Sequence, residues 1–203
     1  MADPAWNMVI DIGNTRVKAG LFRGPQLMDV RQWTELGQAD FLAWLTNHPP
    51  DYILYSTVAG PLPPDWLAVL ARPPQVLELT TDTNLPFENT YRTPQTLGKD
   101  RLAALAGAME LRPGRHLLVA DAGTCITFDL LTAPGVYLGG NISPGLDMRY
   151  RAMHAFTARL PRVRSRDLPE NWIGSSTAEA LQNGGLWGMV WELEGYLRRG
   201  QAE

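Results

Sequence analysis

The segment VIDIGNTRVKAGLF, residues 9–22, does most to decide which fold the chain can adopt. Its apolar run stops at Asp11, passes through Gly13 and resumes at Val17. Two short apolar runs separated by turn-forming residues are typical of a pair of β-strands joined by a tight turn. The segment therefore predicts a hairpin with polar side chains at its tip.

A second segment repeats this pattern later in the chain, as LLVADAGTCITFDLL at residues 117–131. Alignment of the two segments places Asp11 over Asp121 and Gly13 over Gly123, with apolar runs on both sides. Two copies of one hairpin indicate two related halves. The turn RPGRH suggests a boundary between them, which gives an N-terminal half at residues 1–113 and a C-terminal half at 114–203.

The residue types at the two tips suit phosphate binding. Glycine lets the backbone approach a ligand closely, so consecutive N–H groups can point at phosphate oxygens. Thr15 and Thr124 add hydroxyl donors, Lys18 adds a point charge, and an aspartate at each strand end can hold Mg²⁺. A single D-x-G is more often an ordinary hairpin turn, but two copies behind apolar strands favour a polyphosphate held between the halves.

Composition excludes several classes of function. With 203 residues, 45% of them hydrophobic, the chain can bury a good core as one large domain or two small ones. A net charge of -3 with scattered Lys and Arg predicts neither a nucleic-acid partner nor a membrane surface. The single Cys125 suits a reducing compartment, and the first residues lack a signal-peptide pattern, so we expect a cytoplasmic protein.

Other common site motifs do not occur in the sequence. There is no G-x-x-x-x-G-K-[ST] and no G-x-G-x-x-G, which disfavours P-loop and Rossmann sites. The three histidines are isolated from one another and from Cys125, so we expect neither a zinc site nor a cysteine nucleophile. Periodicity predicts strands at residues 51–59 and 135–145, and helices at 38–48, 59–75, 102–111, 146–160 and from Ser176 onward.

Four ordered motifs connect these observations to a known family: DIGNTRVKAGLF, YRTPQTLGKDR, DAGTCITFD and GGNISPG. Together they resemble the type III pantothenate kinases, members of the actin, sugar-kinase and Hsp70 ATPase-fold superfamily, over about residues 8–190. The resemblance implies an α/β fold, a duplicated ribonuclease H-like (actin-like ATPase) domain pair with ATP in the cleft between the halves. It also implies ATP-dependent phosphorylation of pantothenate to 4'-phosphopantothenate, the first step of coenzyme A biosynthesis.

The resemblance also implies a role for each matching residue. Asp100 matches the catalytic aspartate, and Asp121 matches the ligand of a monovalent cation, K⁺ or NH₄⁺, that acts beside Mg²⁺-ATP. The family is homodimeric, with its pantothenate pocket at the subunit interface. The residues matching ATP contacts are Asp11, Ile12, Gly13, Asn14, Thr15, Arg16, Val17, Lys18 and Thr124, and those matching pantothenate contacts are Tyr91, Gly98, Lys99, Asp100, Arg101 and Thr177.

These roles are chemically reasonable. Phosphoryl transfer requires a positioned nucleophile and balanced charge on the transferred group. Asp100 would accept the proton of the pantothenate hydroxyl, and Arg101 would grip its carboxylate in a bidentate pair. Alternatively, Asp100 only marks the start of a helix, where a carboxylate favours the helix dipole.

One departure from the family pattern appears at the end of the sequence. Relatives usually continue past the last helix with a strand and a Gly-Gly turn that receives the adenosine, whereas this sequence stops at GYLRRGQAE and carries Gly184-Gly185 within a helical pattern. We therefore expect a shortened second half. The alternative function is a catalytically weak or silent relative that acts as a regulatory or accessory binding protein, and a kinase of another small alcohol is disfavoured by YRTPQTLGKDR.

A homodimer is also expected from helical patterning in the second half. Two apolar stripes need cover, and a shortened half cannot easily bury both. A capping box at Ser176 and Glu179 predicts the start of the last helix. The first stripe contains Leu146, Tyr150, Met153 and Leu160, and the second contains Leu186, Val190, Leu193 and Leu197 with Trp187 and Trp191 nearby.

Overall fold

The fold was analysed in a computed structural model of the chain. The predicted ATP contacts Asn14 and Thr15 lie outside the described residues, and so does most of the helix predicted at 59–75. The structure describes residues 3–13, 16–34, 38–57, 75–164 and 171–202.

Contacts divide the chain into two compact units, which are described separately here. Unit 1 contains Met1–Asn84 and Gln95–Leu102, and unit 2 contains Leu85–Pro94 and Ala103–Glu203. The predicted halves, 1–113 and 114–203, refer to the two copies of a duplicated fold and not to these compact units. The boundary between the halves stays a prediction.

Unit 1 is built on a five-stranded mixed sheet in the order β3-β2-β1-β4-β5. The first three strands form an antiparallel meander, while β4 runs parallel to β1 and β5 runs parallel to β4. The strands are β1 (Trp6–Ile12), β2 (Val17–Arg23), β3 (Gln26–Trp33), β4 (Tyr52–Thr57) and β5 (Gln75–Glu78).

Helix α1 (Gln38–Asn47) covers one face of this sheet, as its periodicity predicted. Alternate residues of β1 point to that face and are almost fully buried, as a strand with one covered side requires. The ring of Phe41 meets that of Trp33 edge-to-face at 5.4 Å between centroids. Trp33 pairs with Val17, which pairs with Ile12, so this ring contact lies at the end of the sheet where β1 ends.

Unit 2 is built on a four-stranded sheet in the order β6-β9-β8-β7. The strands β7, β8 and β9 are antiparallel, and the short β6 runs parallel to β9. The strands are β6 (Glu88–Asn89), β7 (Leu117–Ala122), β8 (Cys125–Leu131) and β9 (Val136–Pro144), and the helices are α3 (Leu146–Ala155) and α4 (Thr177–Ala202). Helix α2 (Lys99–Leu111) begins in unit 1 and continues in unit 2.

Helices α3 and α4 pack together through Tyr150. Its ring is buried and its hydroxyl donates to the Gln182 carbonyl at 2.9 Å. A Cβ at Gly185 would collide with that ring, which explains why a glycine lies inside a long helix. The first predicted stripe is therefore covered within the subunit at Tyr150 and is wrong at Leu160, because α3 ends at Ala155.

The start of α4 partly follows the predicted capping box. The Ser176 hydroxyl accepts a hydrogen bond from the Glu179 N–H at 3.3 Å, as expected. In a capping box the glutamate carboxylate accepts from the N–H of the capping serine. Here the Glu179 carboxylate instead accepts from the N–H of Ser175, at 2.7 Å. Hydrogen bonds from Ser175 to the carboxylate, from its N–H first and then its hydroxyl, lower the pKa of Glu179 below its ordinary value.

Candidate active site

The first hairpin tip joins β1 to β2 through residues 13–16. Ile12 pairs with Val17, and the Gly13 N–H donates to the Arg16 carbonyl at 3.0 Å. A Cβ at Gly13 would lie 3.2 Å from that carbonyl oxygen, so the turn favours glycine. The Gly13 N–H therefore closes its own turn and does not point at a ligand. Ile12 and Val17 are core residues, and only their backbone can face a nucleotide.

Asp11 lies at the carboxyl edge of the sheet, where β1 and the parallel strand β4 end side by side. Its Oδ1 accepts a hydrogen bond from the Ser56 hydroxyl at 3.1 Å, and Ser56 is its register partner on β4. On the other side Asp11 pairs with Lys18 of β2, which is exposed. Directly opposite residues of an antiparallel pair have neighbouring side chains, so a cation faces this carboxylate.

The second hairpin tip, in unit 2, is also closed by a glycine N–H, across a two-residue loop instead of the four residues of the first. The Gly123 N–H donates to the Cys125 carbonyl at 2.8 Å. Asp121 is exposed on β7 and pairs with Thr127 of β8, a neutral residue. Thr124 at the tip is exposed as well. The sequence repeat therefore preserves the Asp-x-Gly position and the glycine N–H bond, while the loop length and the residue opposite each aspartate differ.

A backbone contact that the sequence did not reveal supports the second tip. The Gly145 N–H donates to the Thr124 carbonyl at 3.1 Å, and a Cβ at Gly145 would collide with the carbonyl oxygens of Gly123 and Thr124. Arg149 of α3 fixes the approaching segment by donating to the Pro144 carbonyl at 2.8 Å. The motif GGNISPG had marked this glycine, although only the fold shows what it contacts.

Asp100 lies in the first turn of α2, in unit 1. Its Oδ1 accepts a hydrogen bond from the Arg101 N–H at 2.9 Å, which sets the orientation of the carboxylate. A Cβ at Gly98 would collide with the same oxygen and push the carboxylate out of this orientation. Arg101 is only 5% exposed, which places a buried guanidinium next to an acidic side chain.

Lys99, the remaining residue of this motif, has a partner that sequence reasoning missed. Its ammonium donates to Glu78 Oε1 at 3.0 Å, and the Tyr55 hydroxyl donates to Glu78 Oε2 at 3.0 Å. The hydrogen bond from Lys99 is the main cause that lowers the pKa of Glu78 below its ordinary value. Burial is the main cause that raises the pKa of Tyr55, and its hydrogen bond to the Glu78 carboxylate is the second. The predicted contact of Lys99 with pantothenate stays a prediction.

The other two predicted substrate contacts belong to unit 2. Tyr91 is half-buried, its N–H donates to Asn89 Oδ1 at 3.0 Å, and its ring stacks on Tyr137. Thr177 is the first residue of α4 and is exposed. The structure thus groups Asp11 and Lys18 with residues 98–101 in one unit, and Tyr91, Asp121, Thr124 and Thr177 in the other.

Metal binding was tested on the donors present. Among the described residues, no three His, Cys, Asp or Glu side chains come together as a metal cage. Mg²⁺ commonly needs only one or two carboxylates beside substrate phosphates, so Asp11 fits a cation that arrives with ATP. Over the same described ranges, no helix has the length and hydropathy that crossing a membrane demands. The cytoplasmic location stays a prediction.

These features define a class of protein: an α/β fold with two mixed sheets, each carrying an Asp-x-Gly hairpin at its edge. A solved structure from Campylobacter jejuni, of a conserved protein assigned to the Baf family of transcriptional activators, has this fold. It matches with a TM-score of 0.55 at 21% identity and covers 93% of this chain and 78% of its own. The predicted α/β fold class is confirmed.

The chain belongs to the type III pantothenate kinase family, whose model matches residues 7–199. A curated relative of that name from Christiangramia forsetii is 40% identical over 197 residues, which are 95% of this chain and 79% of the relative. A second from Phocaeicola vulgatus is 40% identical over 195 residues, 94% of this chain and 78% of the relative. The family predicted from the four motifs is therefore confirmed.

Proposed function

We propose that this chain transfers the γ-phosphate of ATP to the primary hydroxyl of pantothenate and forms 4'-phosphopantothenate, the first intermediate on the way to coenzyme A. Membership of the type III pantothenate kinase family supports the reaction and makes the chain a phosphotransferase, as predicted. The single observation that carries the mechanism is the fixed carboxylate of Asp100 in the first turn of α2.

Asp100 acts as the base. Because Oδ1 accepts from the Arg101 N–H, Oδ2 is the atom that takes the proton of the pantothenate hydroxyl. Phosphoryl transfer needs little covalent chemistry, so orientation of the hydroxyl toward the γ-phosphate is the larger part of this role. Gly98 contributes by leaving room for the carboxylate, since any Cβ there would displace it.

Arg101 binds the pantothenate carboxylate. A guanidinium presents its donors in a planar fork that matches a carboxylate, and such pairs are strongest where water is excluded. Arg101 has this character because it is buried beside the base. Tyr91 and Thr177 match the remaining pantothenate contacts of the family.

The two hairpin tips bind the triphosphate. Arg16 and Lys18 supply positive charge at the first tip, with backbone groups of residues 12–17 other than the Gly13 N–H, and Thr124 supplies a hydroxyl at the second. Asp11 holds the Mg²⁺ that accompanies ATP, and the metal neutralises charge on the phosphate oxygens when it is bound. Asp121 would hold K⁺ or NH₄⁺, in keeping with its exposed position opposite the neutral Thr127.

The functional protein is a homodimer formed through unit 2. Several large apolar side chains there are exposed, and the rings of Trp172 and Trp191 meet at 6.3 Å between centroids. Exposed large apolar side chains are a common mark of a protein interface. Light scattering should give twice the 22.5 kDa of one chain, and a single-chain mass at micromolar concentration would contradict the dimer. The exposed residues include Phe156, Trp172, Ile173, Trp191 and Leu197.

A coupled ADP-release assay, run with and without pantothenate, tests the proposed function. We expect turnover only with pantothenate, and a loss of about 10²- to 10⁴-fold in Asp100→Asn, since the amide keeps the shape of the side chain but removes the base. Asp82→Asn, at an exposed aspartate of the same unit, is the matched control and should keep the wild-type rate. Turnover that ignores pantothenate would refute the assignment, and near-normal rates in Asp100→Asn would make Asp100 a helix-start residue only.

A further inference from the structure

Behind Tyr91 lies a second aromatic ring that no motif had marked. Tyr137 of β9 is completely buried, and its ring is stacked on that of Tyr91 with 6.0 Å between centroids and 11° between planes. One face of the Tyr91 ring is therefore covered from within unit 2. A ligand can meet only its other face, its edge or its hydroxyl.

Tyr137 is itself held from two further sides. Its hydroxyl donates to Asp129 Oδ1 at 2.7 Å, and Asp129 is only 1% exposed. The ring of Phe87 meets it edge-to-face at 6.3 Å between centroids. A buried carboxylate is costly unless it is well hydrogen-bonded, so this bond to Asp129 constrains the ring strongly. Tyr137 is a rigid support rather than a mobile neighbour.

The backbone that carries Tyr91 is tied to the same strand. Asn89 pairs with Tyr137 in the parallel ladder between β6 and β9, and the Thr90 hydroxyl donates to the Tyr137 carbonyl at 2.6 Å. Gly139 has φ +114°, and a Cβ there would lie 3.6 Å from the Tyr91 ring. Both the main chain and the ring of Tyr91 thus rest on one short stretch of β9.

We propose that Tyr137, fixed by Asp129, is a positioning residue for pantothenate binding, because it holds the Tyr91 ring in the orientation that meets the substrate. This inference rests on the proposed function and on the role of Tyr91 within it. A side chain that is already ordered before binding loses little conformational entropy when a ligand arrives. Loss of the support therefore weakens pantothenate binding and leaves ATP binding and the chemical step intact.

The test compares Tyr137→Phe with the wild type and measures KM for pantothenate, KM for ATP and kcat. The phenylalanine keeps a ring but removes the anchor to Asp129, and we expect about a 5- to 10-fold rise in KM for pantothenate alone. The matched control is Tyr150→Phe, which removes another buried tyrosine hydroxyl in unit 2, one that donates to Gln182, and should leave both KM values unchanged. Equal rises in both KM values, or no change, would overturn the inference.

A double-mutant cycle with Tyr91→Ala separates positioning from a general loss of structure. If Tyr137 acts through Tyr91, then Tyr137→Phe should add nothing further to KM for pantothenate once Tyr91 is alanine. Independent, additive effects would make Tyr137 a structural residue only and would overturn the inference. Wild-type protein without pantothenate-dependent turnover would instead count against the proposed function itself.

A milder variant keeps the inference testable if Tyr137→Phe does not fold. Thr90→Val removes the hydroxyl that donates to the Tyr137 carbonyl, and it does so at an exposed position where the fold is tolerant. We expect KM for pantothenate to rise about 2- to 5-fold, with an unchanged melting temperature and KM for ATP. A melting temperature that falls while both KM values stay constant would also overturn the proposal.

Discussion

The two hairpins are both closed by a glycine N–H, but they differ in loop length and in their electrostatic surroundings. In each, a glycine N–H bonds to a carbonyl of its own turn, Arg16 in the first and Cys125 in the second. Asp11, however, pairs across the strands with Lys18, whereas Asp121 pairs with neutral Thr127. We propose that Asp11 binds the Mg²⁺ that arrives with ATP, with Lys18 beside it for the phosphate oxygens, and that Asp121, opposite a neutral residue, binds the monovalent cation. On that proposal one local sequence pattern serves two chemical roles.

The hairpins are also supported in different ways. The first is held by a side-chain hydrogen bond from Ser56, which contacts the aspartate itself. The second is held by the backbone of Gly145, which contacts the tip and not the aspartate. Substitution of Ser56 should therefore alter the position of the Asp11 carboxylate, whereas substitution of Gly145 should alter the shape of the second tip.

Among substitutions in the two hairpins, the largest effect should come from Asp11→Asn. The substitution removes the carboxylate that we propose binds Mg²⁺. It should lower kcat/KM by about 10²- to 10³-fold, the range expected when a preorganised charge-stabilising group is lost. Steady-state kinetics across a Mg²⁺ titration would measure it, and the rate should depend more weakly on the metal. If Asp11→Asn lowered kcat/KM less than Asp121→Asn does, the roles that we assign to the two aspartates would be reversed.

Asp121→Asn should have a smaller and qualitatively different effect. With K⁺ present the variant should lose roughly tenfold in turnover, about 1.4 kcal/mol in the barrier, because the cation that balances phosphate charge is held less well. In the wild type, exchange of K⁺ for Na⁺ or a bulky organic cation should lower turnover sharply. The variant should be nearly insensitive to that exchange.

Potassium salts therefore provide the check on this second role. Wild-type rates that are equal in K⁺, Na⁺ and an organic cation would remove the role of Asp121. The matched control is Asp147→Asn, at an exposed aspartate of α3 in the same unit, and it should retain the full response to K⁺.

The contrast between the hairpins also shows what the sequence can reveal. Both hairpins were predictable, because alternation and turn chemistry act between neighbours along the chain. The support from Ser56 was not, since it lies 45 residues from Asp11, and neither was Glu78, which lies 21 residues from Lys99. Such pairs depend on how strands align, and a single sequence does not encode that alignment in any short pattern.

Local periodicity also failed where a helix stopped early. Leu160 continues the apolar spacing of α3, yet the helix ends at Ala155, where the Thr157 hydroxyl donates to the Met153 carbonyl at 2.6 Å and satisfies an acceptor at the helix end. Apolar spacing predicts which residues share a helix face, but it does not predict where the helix ends. The motif residues 98–101 were found because they are contiguous, whereas Tyr137 contributes through its buried ring to a site that begins with Tyr91.

Gly145→Ala should have an effect of intermediate size that is confined to the nucleotide. The new methyl group must push against the carbonyls of Gly123 and Thr124, so the second tip shifts and KM for ATP should rise about 5- to 10-fold. KM for pantothenate should stay within twofold. Gly184→Ala is the matched control, because a Cβ there meets no described atom within 4 Å. A normal KM for ATP in Gly145→Ala would mean that the second tip does not contact phosphate.

Ser56→Ala should give the smallest effect and tests the support of the first hairpin directly. The substitution removes one hydrogen bond to the Asp11 carboxylate, and such a bond to a charged group contributes about 1.5 kcal/mol or more, part of which water can replace. We expect KM for Mg²⁺-ATP to rise roughly threefold to fivefold with kcat little changed. The same substitution in an Asp11→Asn background should have almost no further effect, because the charge that it orients is already absent. Full additivity of the two substitutions would mean that Ser56 stabilises the sheet alone, and the two hairpins would then differ in charge but not in how their aspartates are held.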